Sequence, residues 1–246
     1  MAEITKVLSY ISSFAPIESA EPWDNVGLLV NAKRAGDILV ALDITDEVIN
    51  EAIRLNCAII VSHHPVIFGT LKAINQGEPV YKLIQNDISA LCMHTNLDAA
   101  KGGVNNALCE KLCLSDVKPL EPFGRIGALP RAYSAKELSE YCTQKLCAHV
   151  KFADAGNEIR VLAVVGGSGK EFIADAINAH ADAFLTGEAG HHDAIYAKEQ
   201  GISLLAAGHF ATEQPMMTVL AQRLRLEFDH TRVYESESCR APFEYI

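Results

Sequence analysis

Cys57-Ala58-Ile59-Ile60-Val61-Ser62-His63-His64-Pro65 is an apolar run that ends on two histidines in tandem. Five apolar residues with no polar alternation match a strand covered on both faces, as in a parallel sheet. Open α/β sheets place their sites in the crevice beyond the carboxyl ends of the strands, which is where both imidazoles fall. Pro65 stops the strand from continuing. Neutral imidazole nitrogens at such a point can ligate one or two metal ions. A polar loop capping a strand is the competing account, and the histidine pair alone divides the two evenly.

Upstream, Ile38–Leu42 reads as a second strand. Asp43 stands at its end, and Thr45 can cap a helix carrying Val48, Ile49, Ala52, Ile53 and Leu55 on one side. Strand, helix and strand form a βαβ unit, so the sheet is parallel and covered by helices. Earlier still, Trp23-Asp24-Asn25-Val26-Gly27-Leu28-Leu29-Val30 suits a turn before a short strand. Ile4, Val7, Leu8, Ile11 and Phe14 have the spacing of an amphipathic helix.

Downstream of a polar loop after Phe68, a helix over Val80–Gln85 and a strand over Ile88–Met93 lead to His94-Thr95-Asn96-Leu97-Asp98. Gly102 and Gly103 introduce another helix through Leu112. The Pro/Gly punctuation of Lys118-Pro119-Leu120-Glu121-Pro122-Phe123-Gly124 then marks a boundary. The expected organisation is a first α/β lobe over 1–124 and a second over 125–246.

The second half repeats the first. Aligning His64 with Glu188 places Glu47 on Glu171, Ala52 on Ala176, Ile53 on Ile177, and Ile59-Ile60-Val61 on Ala183-Phe184-Leu185. With a shorter loop, His94-x-x-x-Asp98 answers to His209-x-x-x-Glu213. Duplication into two similar α/β lobes, with mainly parallel sheets flanked by helices and facing a shared cleft, accounts for this. Independent use of a common βαβ motif is the alternative.

A chain of 246 residues, 49% hydrophobic, can bury a sizeable core. Its net charge of -10 and pI near 5.3 disfavour a nucleic-acid-binding face, because phosphate contacts need a Lys/Arg surface. No run approaches the length of a membrane span, and the first residues do not read as a signal peptide, so a cytoplasmic location is expected. The seven cysteines include no Cys-x-x-Cys pair and read as reduced, mainly buried small hydrophobes.

Three strand ends therefore supply His63 and His64, His94 and Asp98, and His209 and Glu213. Imidazole and carboxylate without thiolate suit zinc, manganese, iron or nickel, and not calcium. Because a carboxylate can bridge, three histidines and two acids suffice for a dinuclear site. His94 reads as a hydrogen-bonding neighbour of a ligand or a proton shuttle, with a satisfied structural histidine as the alternative. Glu188 reads as a general base or as a carboxylate that orients His209. His191 and His192 fit a solvated helix better than a site. Gly166-Gly167-Ser168-Gly169-Lys170 precedes a helix and suits either an anion site or a plain glycine turn; it lacks the spacing of a P-loop.

His63-His64-Pro65, His94-Thr95-Asn96-Leu97-Asp98, Thr186-Gly187-Glu188 and Gly208-His209-Phe210-Ala211-Thr212-Glu213, with Trp23-Asp24-Asn25-Val26-Gly27-Leu28 upstream, resemble the Nif-three-like dinuclear metal-binding family. Many of its members are labelled GTP cyclohydrolase type 2 homologues. The resemblance spans nearly the whole chain. It implies His63, His64, Asp98, His209 and Glu213 as ligands of two divalent metal ions (zinc, iron or manganese), with Glu188 and His94 as candidate catalytic groups. It further implies a homohexamer and a metal-dependent hydrolase acting on a nucleotide-like small molecule. A non-catalytic metal-binding scaffold or regulatory interaction ring is the alternative function.

Overall fold

The computed structural model describes residues 1–244. Residue contacts divide the chain into two units, one comprising Met1–Lys101 with Met217–Arg240 and the other built on Gly102–Met216.

The first unit opens with helix α1 (Ile4–Ser12), whose Val7 and Ile11 are fully buried. Then follow β1 (Gly27–Val30), β2 (Asp37–Ala41), α2 (Asp46–Arg54), β3 (Cys57–Ser62), α3 (Pro79–Gln85), β4 (Ser89–Cys92) and the short α4 (Thr95–Ala99). All six residues of β3 are buried, which explains the unbroken apolar run. β3 lies between β2 and β4, parallel to both, while β1 closes one edge antiparallel to β4. Thr45 caps α2 as its position suggests, its hydroxyl accepting from the Val48 N–H at 3.4 Å. The observed face of α2 differs from the expected one at two positions: Ile53 is 42% exposed and Glu51 is buried.

The second unit contains α5 (Val104–Lys111), β5 (Ser115–Leu120), β6 (Gly124–Tyr133), α6 (Ala135–Leu146), β7 (Lys151–Ala153) and β8 (Ile159–Val165). After these come α7 (Ile173–Asn178), β9 (Ala183–Thr186), α8 (His191–Glu199), β10 (Ser203–Ala206) and the start of α9 (His209–Glu227). The strand order is β5-β6-β8-β9-β10-β7. Alternate residues of β8 enter different cores: Leu162 and Val164 pack with Leu108 and Leu138, whereas Ala163 and Val165 pack with Ile173 and Ala197. Helices thus cover both faces of this sheet. It is more mixed than expected, because β8-β9 and β9-β10 are parallel but β5-β6, β6-β8 and β7-β10 are antiparallel.

Connectivity within the units matches. The path β1, β2, α2, β3, α3, β4 produces the order β1-β4-β3-β2, and β7, β8, α7, β9, α8, β10 produces β7-β10-β9-β8. Each path carries three parallel strands and an antiparallel edge, in keeping with duplication.

The observed change of unit lies near Gly102 and not near Gly124. The punctuated run Lys118–Gly124 makes the turn of a hairpin, since β5 and β6 pair antiparallel in one sheet. Helix α5, ahead of that hairpin, packs on β6 and β8. At the other end, β11 (Val233–Glu235) pairs parallel with β2 and so belongs to the first unit.

Candidate metal centre

In the first unit, register aligns Ala41 of β2 with Ser62 of β3, and Ser62 with Cys92 of β4. The residues just beyond these strand ends are Asp43, His63 with His64, and Met93 with His94. Parallel pairing therefore brings them to one edge of the sheet. One ligand atom from each of His63, His64 and His94 lies within 4.8 Å of the others.

Each imidazole is held through Nδ1. His63 donates from Nδ1 to the Met93 carbonyl at 2.9 Å, His64 to Asp43 Oδ1 at 2.7 Å, and His94 to Asp24 Oδ1 at 2.8 Å. A carbonyl or a carboxylate only accepts, so Nδ1 carries the proton and the lone pair is presented at Nε2. His63 Nε2 faces Asp98 Oδ1 at 3.6 Å, and Asp98 is delivered by α4, which begins directly after His94.

Burial and the neighbouring groups act on His94 and Asp24. Burial, then the nearby His63, lowers the pKa of His94 against the opposing pull of Asp24. For Asp24, burial pushes the pKa up, but hydrogen bonds from the Thr95 hydroxyl, His94 and the Thr95 N–H outweigh it and leave the carboxyl below its ordinary value. Asp24 is thus a fixed carboxylate beneath a neutral imidazole. Burial pushes the thiols of Cys57, Cys109 and Cys142 up to about 12 and raises that of Cys92, next to His63, as well, so these buried cysteines offer no thiolate.

The second unit repeats the device. Beyond β8, β9 and β10 lie Gly166-Gly167, Gly187-Glu188 and Gly208-His209, with Val165, Thr186 and Ala206 in register. His209 donates from Nδ1 to Glu188 Oε1 at 2.9 Å, and its Nε2 lies 3.2 Å from Glu213 Oε2, one helical turn on. Glu213 is 4% exposed. Glu188 lies two residues beyond β9, as His64 lies two beyond β3, whereas His209 lies three beyond β10, one further than His94 beyond β4.

The glycine loop has a different part from the anion site considered for it. Gly167 has φ +61, and a Cβ there would stand 2.2 Å from Glu213 Oε1. A Cβ on Gly187 would meet the Gly167 carbonyl oxygen at 2.5 Å and His209 Cα at 2.8 Å. These glycines make room for the His209–Glu213 pair. The N–H groups of Gly166, Gly167 and Gly169 donate to Asn105 Oδ1, Thr212 Oγ1 and Thr186 Oγ1, so they are spent inside the protein. His191 and His192 are exposed at the start of α8, their rings 5.3 Å apart, as a solvated helix end requires.

Two carboxylates that anchor these imidazoles, Asp43 and Asp24, were not among the expected site residues. Asp43 could have been found, because it lies two residues beyond β2 just as His64 lies two beyond β3. Asp24 stood in the Trp23–Leu28 motif, but its partner, His94, is 70 positions away and no spacing links the two.

The donor set suits divalent transition metals: each unit brings imidazole Nε2 next to a carboxylate oxygen, and every ring is oriented by an acceptor behind it. No helix among the described residues is long and apolar enough to cross a membrane.

Residues 2–242 match the model of the Duf34/NIF3 family (NGG1p interacting factor 3). A GTP cyclohydrolase 1 type 2 homolog of Clostridium perfringens (strain 13 / Type A) is 32% identical over 261 residues, with 99% of this chain and 100% of that protein covered. NGG1-interacting factor 3 of Saccharomyces cerevisiae is 28% identical over 276 residues, covering 97% and 96%. Among solved structures, a Bacillus cereus protein related to NIF3 superposes with a TM-score of 0.93 at 23% identity, over 100% of this chain and 99% of that one, which shows the fold. With a match across almost its whole length, the chain belongs to the Duf34/NIF3 family.

Proposed function

We propose that this is a dinuclear metal-binding protein acting as a metal-dependent hydrolase on a nucleotide-like small molecule, of the kind the GTP cyclohydrolase 1 type 2 homolog name suggests. His63, His64 and Asp98 in the first unit and His209 and Glu213 in the second supply ligands for two divalent ions per chain. Zinc, iron or manganese suits them. The observation that carries this reading is the Nδ1 anchoring of His63, His64 and His209 at their strand ends, which supports Nε2 as the ligand atom of each, with His94 anchored in the same way beside the first two.

Bound ions would supply Lewis acidity, polarising a substrate oxygen and making water more acidic. His94, anchored on Asp24 and kept neutral by burial, is placed to take or return a proton beside His63 and His64. Glu188 orients His209 and is itself exposed, so its carboxylate can also serve as a base. Assembly into a homohexamer belongs to the same proposal and rests on the family resemblance. A non-catalytic scaffold is the second reading, favoured by the name of the yeast relative, NGG1-interacting factor 3.

Elemental analysis of protein purified without chelator, followed by a screen of the metal-loaded protein against nucleotides, phosphoesters and amides, tests the proposal. Two ions per chain with turnover is the expected result. Protein that carries no metal and takes up neither zinc, manganese nor iron refutes it, and bound metal without turnover selects the scaffold. Sedimentation as a monomer at micromolar concentration would remove the hexamer.

A further inference from the structure

We propose that Trp23 and Phe68 form a stacking platform for the ring of a planar heteroaromatic ligand of the nucleobase type. This rests on the reading of His63, His64 and Asp98 as metal ligands with His94 beside them, and it specifies what part of the substrate lies next to that centre.

Both side chains are large, apolar and mostly exposed, Trp23 at 60% and Phe68 at 63%. Their ring centroids are 6.1 Å apart, and each lies 6.2 Å from the His94 ring. Isolated exposed aromatics are unremarkable, but two that border the same partly buried imidazole make a continuous aromatic surface. The backbone beneath them is held firmly. Asp24, next to Trp23, accepts from the Thr95 N–H at 3.0 Å, from the Thr95 hydroxyl and from His94 Nδ1. Asn25 Nδ2 donates to the Ile67 carbonyl at 2.6 Å, tying the loop that carries Trp23 to the loop that carries Phe68. The exposed rings are therefore carried on a fixed backbone, which lowers the ordering cost of binding.

Their spacing selects the mode of contact. A ring sandwiched between two aromatic faces needs ~3.5 Å on each side, or ~7 Å in all. At 6.1 Å and 52° between planes, the pair leaves no slot. A ligand ring instead lies on the outer face of the platform, with its edge toward His94. Polar atoms along that edge would meet an imidazole, so a heteroaromatic ring suits the place better than a purely apolar side chain.

The chain contains a single tryptophan, so the platform carries its own reporter. The full-length zinc-loaded protein is titrated with guanosine 5′-monophosphate and cytidine 5′-monophosphate while Trp23 fluorescence is followed, with ribose 5-phosphate as the ring-free control. Zinc content is measured on the same samples. Saturable quenching by at least one nucleotide and none by ribose 5-phosphate is expected. Phe68→Ala should weaken the binding roughly 5- to 100-fold, the range of losing a stacked aromatic, with zinc content unchanged. The platform is refuted if neither nucleotide quenches at millimolar concentration, if ribose 5-phosphate quenches equally, or if the emission responds only to protein concentration, which would assign the surface to another protein copy. Failure of the metal centre is distinguishable, because it appears as absent zinc, and the metal-free protein titrated with guanosine alone still tests the platform.

Discussion

Gly167→Ala separates the stability of the fold from the placement of a ligand. An alanine at φ +61 pays the left-handed penalty, roughly 1–2 kcal/mol. Its Cβ would also stand 2.2 Å from Glu213 Oε1, against the ~3.5 Å of an ordinary contact, so the carboxylate must retreat by about 1 Å. That oxygen is the far end of a flexible side chain, which keeps the cost to the fold small and puts the movement on a proposed metal ligand. Gly156→Ala is the matched control, with φ +83 and nothing within 4 Å of the added carbon. Both variants should lose about the same stability, ~1–2 kcal/mol, in urea unfolding of the metal-free protein. Zinc affinity by calorimetric titration should fall only in Gly167→Ala, by about tenfold or more, the scale on which disturbed metal surroundings act. Equal zinc affinity in the two variants would refute the placement of Glu213 as a ligand above Gly167.

Asp43→Ala removes the acceptor behind His64 without touching a ligand, and metal affinity measured by chelator competition should drop roughly 10- to 100-fold. Glu188→Gln retains an acceptor for His209, so metal content should persist while turnover falls roughly 10²–10⁴-fold if the carboxylate acts as a base; Asp98→Asn should lose metal first, as elemental analysis will show. Glu51 governs an acid limb of stability. Burial pushes its pKa up, but hydrogen bonds from Ser236 and the Glu237 and Ser238 N–H groups bring it below the ordinary 4.5. A folded value below the unfolded one stabilises above about pH 4.5, and the contribution is lost as pH falls through the folded value. Glu51→Gln should therefore cost on the order of 2 kcal/mol at neutral pH, and the gap in urea midpoints from wild type should narrow between pH 6 and pH 3; a gap independent of pH would contradict the assignment.

Strand β3 was legible because burial on both faces leaves an unbroken apolar run, and the Thr45 cap because its partner Val48 is three residues away. The alignment of His64 with Glu188 and of His94 with His209 was legible for the same kind of reason: strand ends recur at regular places in a repeated βαβ path. Nearby residues determine such features through backbone periodicity, and periodicity is written in the order of side chains. Long-range return of the chain decided the rest. Glu51 is buried because Ser236, 185 residues on, comes back to cover its side of α2, and Asp24 meets His94 across 70. The run Lys118–Gly124 became a hairpin turn because β6 found β8 as its other neighbour, which no local signal announces. Loop-closure entropy rises only slowly with length, so distant segments compete for a partner almost as well as near ones, and packing chooses between them.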